Sequence, residues 1–265
     1  MHDIRYDAVH DLIFVTNPFA NAILAFRGGA NGEEAPVRII QGPHTQLRGN
    51  TDRLELDTVH NEVYVPLYNA ILVFPLDGSG DVAPIRVLRG PDTQLKSAGS
   101  IAVDPVNNLM VVGLSGGEGQ GNTTENSSAE NRASDVPAGM QYGGQGNGGM
   151  LIFNRTDNGN VKPRGVIQGP RTGIFRILQL QVYPPKGWIV ATQPGRPDAE
   201  EPEGVYVGVW SVRDNGDLPP RWKLGGPKST LKKPRGVVLD PKHKELIVAD
   251  MRLNALLTYY FPELF

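Results

Sequence analysis

The sequence reads as an all-β protein, a β-propeller of five repeats occupying a single domain over residues 1–265. Three observations predict it. A set of landmarks recurs in fixed order along the chain, which marks a repeat architecture. The apolar runs between landmarks are too short for helices and rich in Val, Ile and aromatic residues, as strands are. Turn chemistry built on Gly, Asn and Asp separates the runs at intervals that fit one four-stranded blade per repeat.

The first landmark is Asp7–Val15, which returns as Asp57–Val65, Asp104–Val112, Tyr183–Ala191 and Asp240–Val248. The second is Asn21–Leu24, repeated as Asn69–Leu72 and Asn254–Leu257. The third is Gly42–Leu47, repeated as Gly90–Leu95, Gly169–Ile174 and Gly226–Leu231. Gly-Pro positions 42, 90, 169 and 226 keep step with Asp-type positions 7, 57, 104, 183 and 240, so the array is tandem. The blades fall at about 4–47, 54–95, 101–174, 180–231 and 237–265.

The second repeat shows the elements in order. Leu54–Leu56 is the expected innermost strand, followed by Glu62–Val65, Ala70–Phe74 and an outermost Pro84–Leu88. Its middle runs are continuously apolar, the pattern of strands covered on both faces. Leu76–Asp81 supplies a tight hairpin, matched by Arg27–Gly32 and Thr156–Asn160. The third and fourth repeats are enlarged between their second and third strands by insertions at 115–149 and 192–204, the first read as a Gly-rich flexible loop. The fifth copy ends after its third strand, Ala255–Tyr260, so a three-stranded last blade is expected, with no closure by strand exchange between the termini. A five-bladed ring, a part of a six-bladed protein and an edge completed by another chain all remain open. The free edge at Thr258–Tyr260 is an expected place of intermolecular contact.

Composition narrows the function. Gly 32 and Pro 22 in 265 residues suit a turn-rich chain, and 26 basic against 28 acidic residues give no global pull towards nucleic acid. With Cys 0, disulfides and thiolate chemistry are excluded. Apolar runs are far shorter than the roughly 18 residues a bilayer needs, so no membrane span is expected. No apolar leader stands at Met1–Asp7, and the compartment stays undetermined; secretion or export to a periplasm would require a leader already removed.

No convergent catalytic set is visible, so no catalytic residue, metal or other cofactor is assigned. His10, His60 and His243 sit at one repeat-equivalent hairpin, which a turn role explains, and His44 lies in a Gly-Pro loop. The Gly-rich string 144–149 precedes a strand, whereas a phosphate cradle follows one and opens a helix. Cations do follow the Gly-Pro loops: Arg48, Lys96, Arg176, Lys232 and Lys233, with Arg53 and Arg235 just before the next inner strand. Loops joining second to third strands open on the same face as the loops joining blades. That rim is therefore the candidate binding surface, with Arg48, Arg53, Lys96, Arg176, Lys232 and Arg235 as a positive collar. Tyr68 supplies an aromatic beside it and Asp250 an acid. Arg5 and Glu55, at equivalent inner-strand positions, are expected to pair across blades.

The repeat resembles the NHL family of propellers, on Gly236–Pro241 with Leu246–Asp250 and on Ser100–Pro105. Two features depart from that family: the Gly-Pro-x-Thr-x-Leu loops, and Asn turns without a following Arg. The resemblance implies a propeller. The expected function is a non-enzymatic scaffold that recognises a protein, peptide or glycan on the rim carrying the insertions and the Gly-Pro loops. The alternative is a lactonase-like hydrolase or a lyase with a metal at the channel mouth, held by groups such as Glu55, Asp250, Asn17, Asn69 and Asn254. Nucleic-acid binding, known among NHL relatives, is disfavoured by the charge balance and the few aromatics near the cations.

Overall fold

The computed structural model describes residues 3–48, 51–115, 148–195 and 204–265. Blade 1 holds β1 (Ile4–Asp7), β2 (Leu12–Asn17), β3 (Ala22–Arg27) and β4 (Arg38–Ile40). Blade 2 holds β5 (Glu55–Asp57), β6 (Glu62–Leu67), β7 (Ala70–Pro75) and β8 (Arg86–Arg89). Blade 3 holds β9 (Ala98–Asp104), β10 (Leu109–Leu114), β11 (Gly149–Asn154) and β12 (Gly165–Gln168). Blade 4 holds β13 (Leu180–Tyr183), β14 (Trp188–Pro194), β15 (Val205–Ser211) and β16 (Trp222–Gly225). Blade 5 holds β17 (Pro234–Asp240), β18 (Glu245–Asp250) and β19 (Ala255–Tyr260).

Each sheet is antiparallel with its strands in sequence order, four with four strands and one with three. The five sheets form a ring, an all-β five-bladed propeller. Two boundaries move. The inner and outer strands of blade 2 are shifted towards the C-terminus relative to the apolar pattern, because ladder pairing runs over Glu55–Asp57 and Arg86–Arg89. The fourth-blade insertion shrinks too, since β14 pairs with β15 as far as Pro194–Val205. The central stretches of both insertions, 116–147 and 196–203, lie outside the described residues.

The recurring motifs are turn devices. After four of the five inner strands an Asp carboxylate folds the hairpin; in blade 4 the Tyr183 carbonyl accepts the Lys186 and Gly187 N–H groups in its place. Asp7 accepts the Val9 and His10 N–H groups with Oδ1, and its Oδ2 meets His10 Nδ1 at 2.7 Å. Asp57 with His60 and Asp240 with His243 repeat the contact, and Asn107 replaces the imidazole with its amide on Asp104. The three histidines are thus turn residues.

The Gly-Pro-x-Thr segments are short 3-10 turns whose Thr hydroxyl replaces missing backbone partners. Thr45 Oγ1 donates to the Gly42 carbonyl at 2.6 Å and accepts from Leu47 N–H. Thr93, Thr172 and Ser229 do the same. Each of the first three turns is clipped to the next blade, where Asp81, Asn160 and Asp217 accept the His44, Asp92 and Arg171 N–H groups. Gly42 has φ 137°, and a Cβ there would lie 2.4 Å from the Asp81 carboxyl. Only glycine fits so close an approach.

The core lies between blades. One apolar cluster joins blades 1 and 2 through Phe14, Ile23, Val65, Leu72 and Phe74. Tyr64, Ile71, Met110 and Phe153 join blades 2 and 3, and Val111, Ile152, Ile189 and Trp210 join blades 3 and 4. Val190, Val207, Val237 and Val248 join blades 4 and 5. Among the described residues the faces of blades 5 and 1 that complete the ring carry no such cluster. The C-terminal residues turn back onto blade 4, where Phe265 meets Tyr183 edge-on at 5.3 Å and Phe261 meets Trp222.

Candidate functional site

Strand direction alternates within a blade, so the loops joining blades and the loops joining second to third strands open at one pole. A cavity of about 260 Å³ lies there. Two inter-blade linkers supply Arg53 and Arg176 to its wall, and the start of β17 supplies Arg235. Asp52, Tyr68, Ser97 and Ser115 add polar groups, and Ile177 and Leu178 an apolar part. The backbone holds these segments in register. Ala98 N–H bonds the Tyr68 carbonyl, Ser115 N–H bonds the Ser97 carbonyl, and Ser115 forms an isolated bridge with Arg176. Gln193, buried on β14, accepts from Phe175 and Arg176 N–H and anchors the third linker.

Below the cavity the inner strands carry a charged cluster. Arg5 donates to Asp3 Oδ1 at 2.8 Å and Glu55 Oε2 at 3.4 Å, the pairing expected between blades 1 and 2. Burial disfavours charge on Arg5, but Glu55 and Asp3 outweigh it and raise its pKa. On Glu55 burial prevails over Arg5 and pushes the carboxyl up. Arg53 shares Asp3 at 3.8 Å. Burial lowers its pKa, and Arg235 and Arg5 lower it further against the pull of Asp3. The guanidinium groups of Arg53 and Arg235 therefore feel one another across the cavity.

The sequence-predicted residues divide into groups. Arg53, Tyr68, Arg176 and Arg235 come together around the cavity; Arg48 and Lys96 are exposed on their linkers and do not line it. Lys232 is half-buried, with its N–H on Asp250. Asp250 is buried, and its carboxylate accepts four backbone N–H groups, from Lys232, Lys233, Arg252 and Leu253. It organises a strand end and does not face the cavity. Asp52, Ser97 and Ser115 were not singled out by sequence; their only signal was adjacency to the cations or the insertion.

A second cavity, of about 300 Å³, lies at the opposite pole among Asn107, Arg164, Lys186 and Arg213. It belongs to the hairpins of one junction, between blades 3 and 4. Among the described residues no group of three His, Asp or Glu side chains could hold a metal ion, and no helix is long and apolar enough to cross a membrane. Glu55 meets Arg5, Asp250 is enclosed by amides, and Asn254 sits in a turn with φ 50°.

Fold and site together define a five-bladed β-propeller with an arginine-walled cavity at its linker pole. No protein-family model and no curated protein matches the chain. Its likeness to the NHL repeat therefore rests on the sequence pattern alone.

Proposed function

We propose that the chain is an NHL-like, non-enzymatic recognition propeller that binds a protein, peptide or glycan at its linker pole. An acidic group of the partner sits among Arg53, Arg176 and Arg235. The observation that carries this reading is that Arg53, Arg176 and Arg235, from three different blade junctions, line one cavity. Held there by the fold, they lose little freedom on binding and offer forked donors suited to a carboxylate. The walls exclude part of the solvent and focus the positive field outward. Tyr68, Ile177 and Leu178 offer apolar contact beside the charge. Arg48, Lys96 and Lys232 extend the basic surface along the linkers, and the insertions at 115–149 and 192–204 leave and re-enter the scaffold on this rim.

The test uses immobilised acidic peptides and uronic-acid glycans as probes, with titration of those that bind. Arg53→Gln combined with Arg235→Gln is expected to weaken binding by more than about tenfold, and added salt to weaken the wild type more than the variant. Val59→Glu, at the opposite pole, is expected to leave binding unchanged. Equal binding by the arginine variant, or failure of every acid-bearing probe to bind, contradicts the reading.

A further inference from the structure

Three repeat positions meet at the hairpin end of each junction between consecutive blades. They are the opening residue of the second strand, the opening residue of the fourth, and the residue after the third strand of the next blade. Between blades 1 and 2 they are Leu12, Arg38 and Leu76, and Arg38 donates to the Leu76 carbonyl at 3.4 Å. Between blades 2 and 3 they are Glu62, Arg86 and Arg155, joined as ion pairs. Between blades 4 and 5 they are Trp188, Trp222 and Phe261, whose rings meet edge-on at 5.2 and 6.2 Å. In all three junctions the chain fills this corner with its own side chains.

Between blades 3 and 4 the same positions hold Leu109, Gly165 and Val212. Neither an ion cluster nor a set of rings stands there, and Gly165 brings no side chain. Leu109 and Val212 instead line the second cavity, of about 300 Å³, and Arg164, next to Gly165, stands at its wall. Lys186 and Arg213 of blade 4 complete a set of three cations, with Pro184 beside them. No acid lines the cavity. The acids on the contributing segments are engaged elsewhere: Asp104 by Asn107, Asp157 by Asn154, Asp214 by Arg221 and Asp217 by the Arg171 N–H. Arg164 gives one of its donors to Asn154. Lys186 and Arg213 are exposed at the mouth.

We propose that this corner binds a small phosphate monoester. The phosphate lies among Arg164, Lys186 and Arg213, and the organic body covers Leu109, Val212 and Pro184, where other junctions place their own side chains. Three cations with no acid in the lining suit a doubly charged head, and the guanidinium forks suit its oxygens. A concave site with an apolar floor and a few convergent polar groups is the form that small-ligand sites take. Because the cations come from both blades, the bound phosphate bridges the junction. The site is separate from the linker pole and does not depend on the reading given to that pole.

Isothermal titration calorimetry on the full chain tests this with phenyl phosphate, at about pH 7.5, where a phosphate monoester carries nearly two charges. Phenyl sulfate, of similar shape with one charge fewer, is expected to bind more weakly, as is inorganic phosphate, which lacks the body. Lys186→Gln combined with Arg213→Gln is expected to weaken phenyl phosphate binding more than about tenfold. Both residues are exposed, so this variant leaves the core intact. Val212→Phe copies the residue type that follows β19 and is expected to abolish binding by filling the corner; circular dichroism checks its folding, and the charge variant decides if it unfolds. Arg53→Gln with Arg235→Gln is expected to leave binding unchanged. No detectable binding of phenyl phosphate, equal binding of phenyl sulfate or inorganic phosphate, or undiminished binding by the charge variant overturns the proposal. Binding kept by a folded Val212→Phe and lost in the Arg53, Arg235 variant overturns it equally, because the ligand then sits at the other pole.

Discussion

Replacing Glu62 by Gln is expected to destabilise the propeller strongly and to change how its stability depends on pH. Glu62 opens β6 and is only 7% exposed. Arg86 grips it from the same blade with bonds of 2.8 and 2.7 Å, Tyr64 donates at 2.5 Å, and Arg155 reaches across from blade 3 at 2.6 Å. Burial alone would raise the Glu62 pKa, but Arg86, Tyr64 and Arg155 together hold it at about 2, against an ordinary 4.5. Such a depression ties about 3 kcal/mol of stability to the charged carboxylate. The folded-state value is the lower one, so this contribution is complete above the unfolded value and is lost as pH falls from 4.5 towards 2. The variant leaves two guanidinium groups without their main counter-charge, at a cost of about 3–5 kcal/mol. For a chain of this size that is a fall in Tm of about 6–15 °C. Thermal melts at pH 7 and through the acid range provide the assay. The gap between wild type and variant is expected to narrow as pH falls. A fall in Tm below about 2 °C at pH 7, or a gap independent of pH, refutes the reasoning.

Two further predictions concern packing and turns. Phe74→Ala, at a fully buried position between blades 1 and 2, is expected to cost about 3–5 kcal/mol in urea unfolding, whereas Phe26→Ala, at the equivalent half-buried position, is expected to cost clearly less. Equal losses would show that Phe26 is as closely packed within the monomer as Phe74. Gly42→Ala drives a methyl group into Asp81 at positive φ and is expected to cost about 1–3 kcal/mol, while Gly29→Ala, where a Cβ meets nothing within 4 Å, is expected to cost less than about 1 kcal/mol. Similar melting of the two variants would count against the clip between blades.

Much of the fold was legible because its signals are local and repeated. An Asp three residues before a His or Asn specifies a hairpin wherever it occurs, and Gly-Pro-x-Thr closes on its own hydroxyl. Neither depends on distant contacts. What escaped was long-range. Glu62 stands where blades 1, 3 and 4 carry Leu12, Leu109 and Trp188, but blade 5 carries Glu245 at the same place, so an acid there did not by itself signal a buried ion cluster. Its partner Arg155 lies in another blade, and no spacing rule connects them. The candidate site divided for a similar reason. Sequence could place the cations on one rim, but which of them face the axis depends on how each linker turns. Arg53, Arg176 and Arg235 turn inward, while Arg48 and Lys96 do not. Asp250 was ambiguous in the sequence because an acid at a strand end can serve a ligand or its own backbone, and in the structure four backbone amides surround it.

Because the chain contains no cysteine, an Arg53→Cys, Arg235→Cys double variant holds a single reactive pair. Treatment with a short bis-maleimide, followed by mass spectrometry of the monomer, reports whether linkers far apart in sequence converge on one pole. The propeller described here requires an efficient cross-link within the monomer for that pair, and none for Val59→Cys with Arg235→Cys, whose members lie at opposite poles. Equal yields for the two pairs, or linkage only between molecules for the first, would contradict that convergence and with it the cavity assigned to recognition.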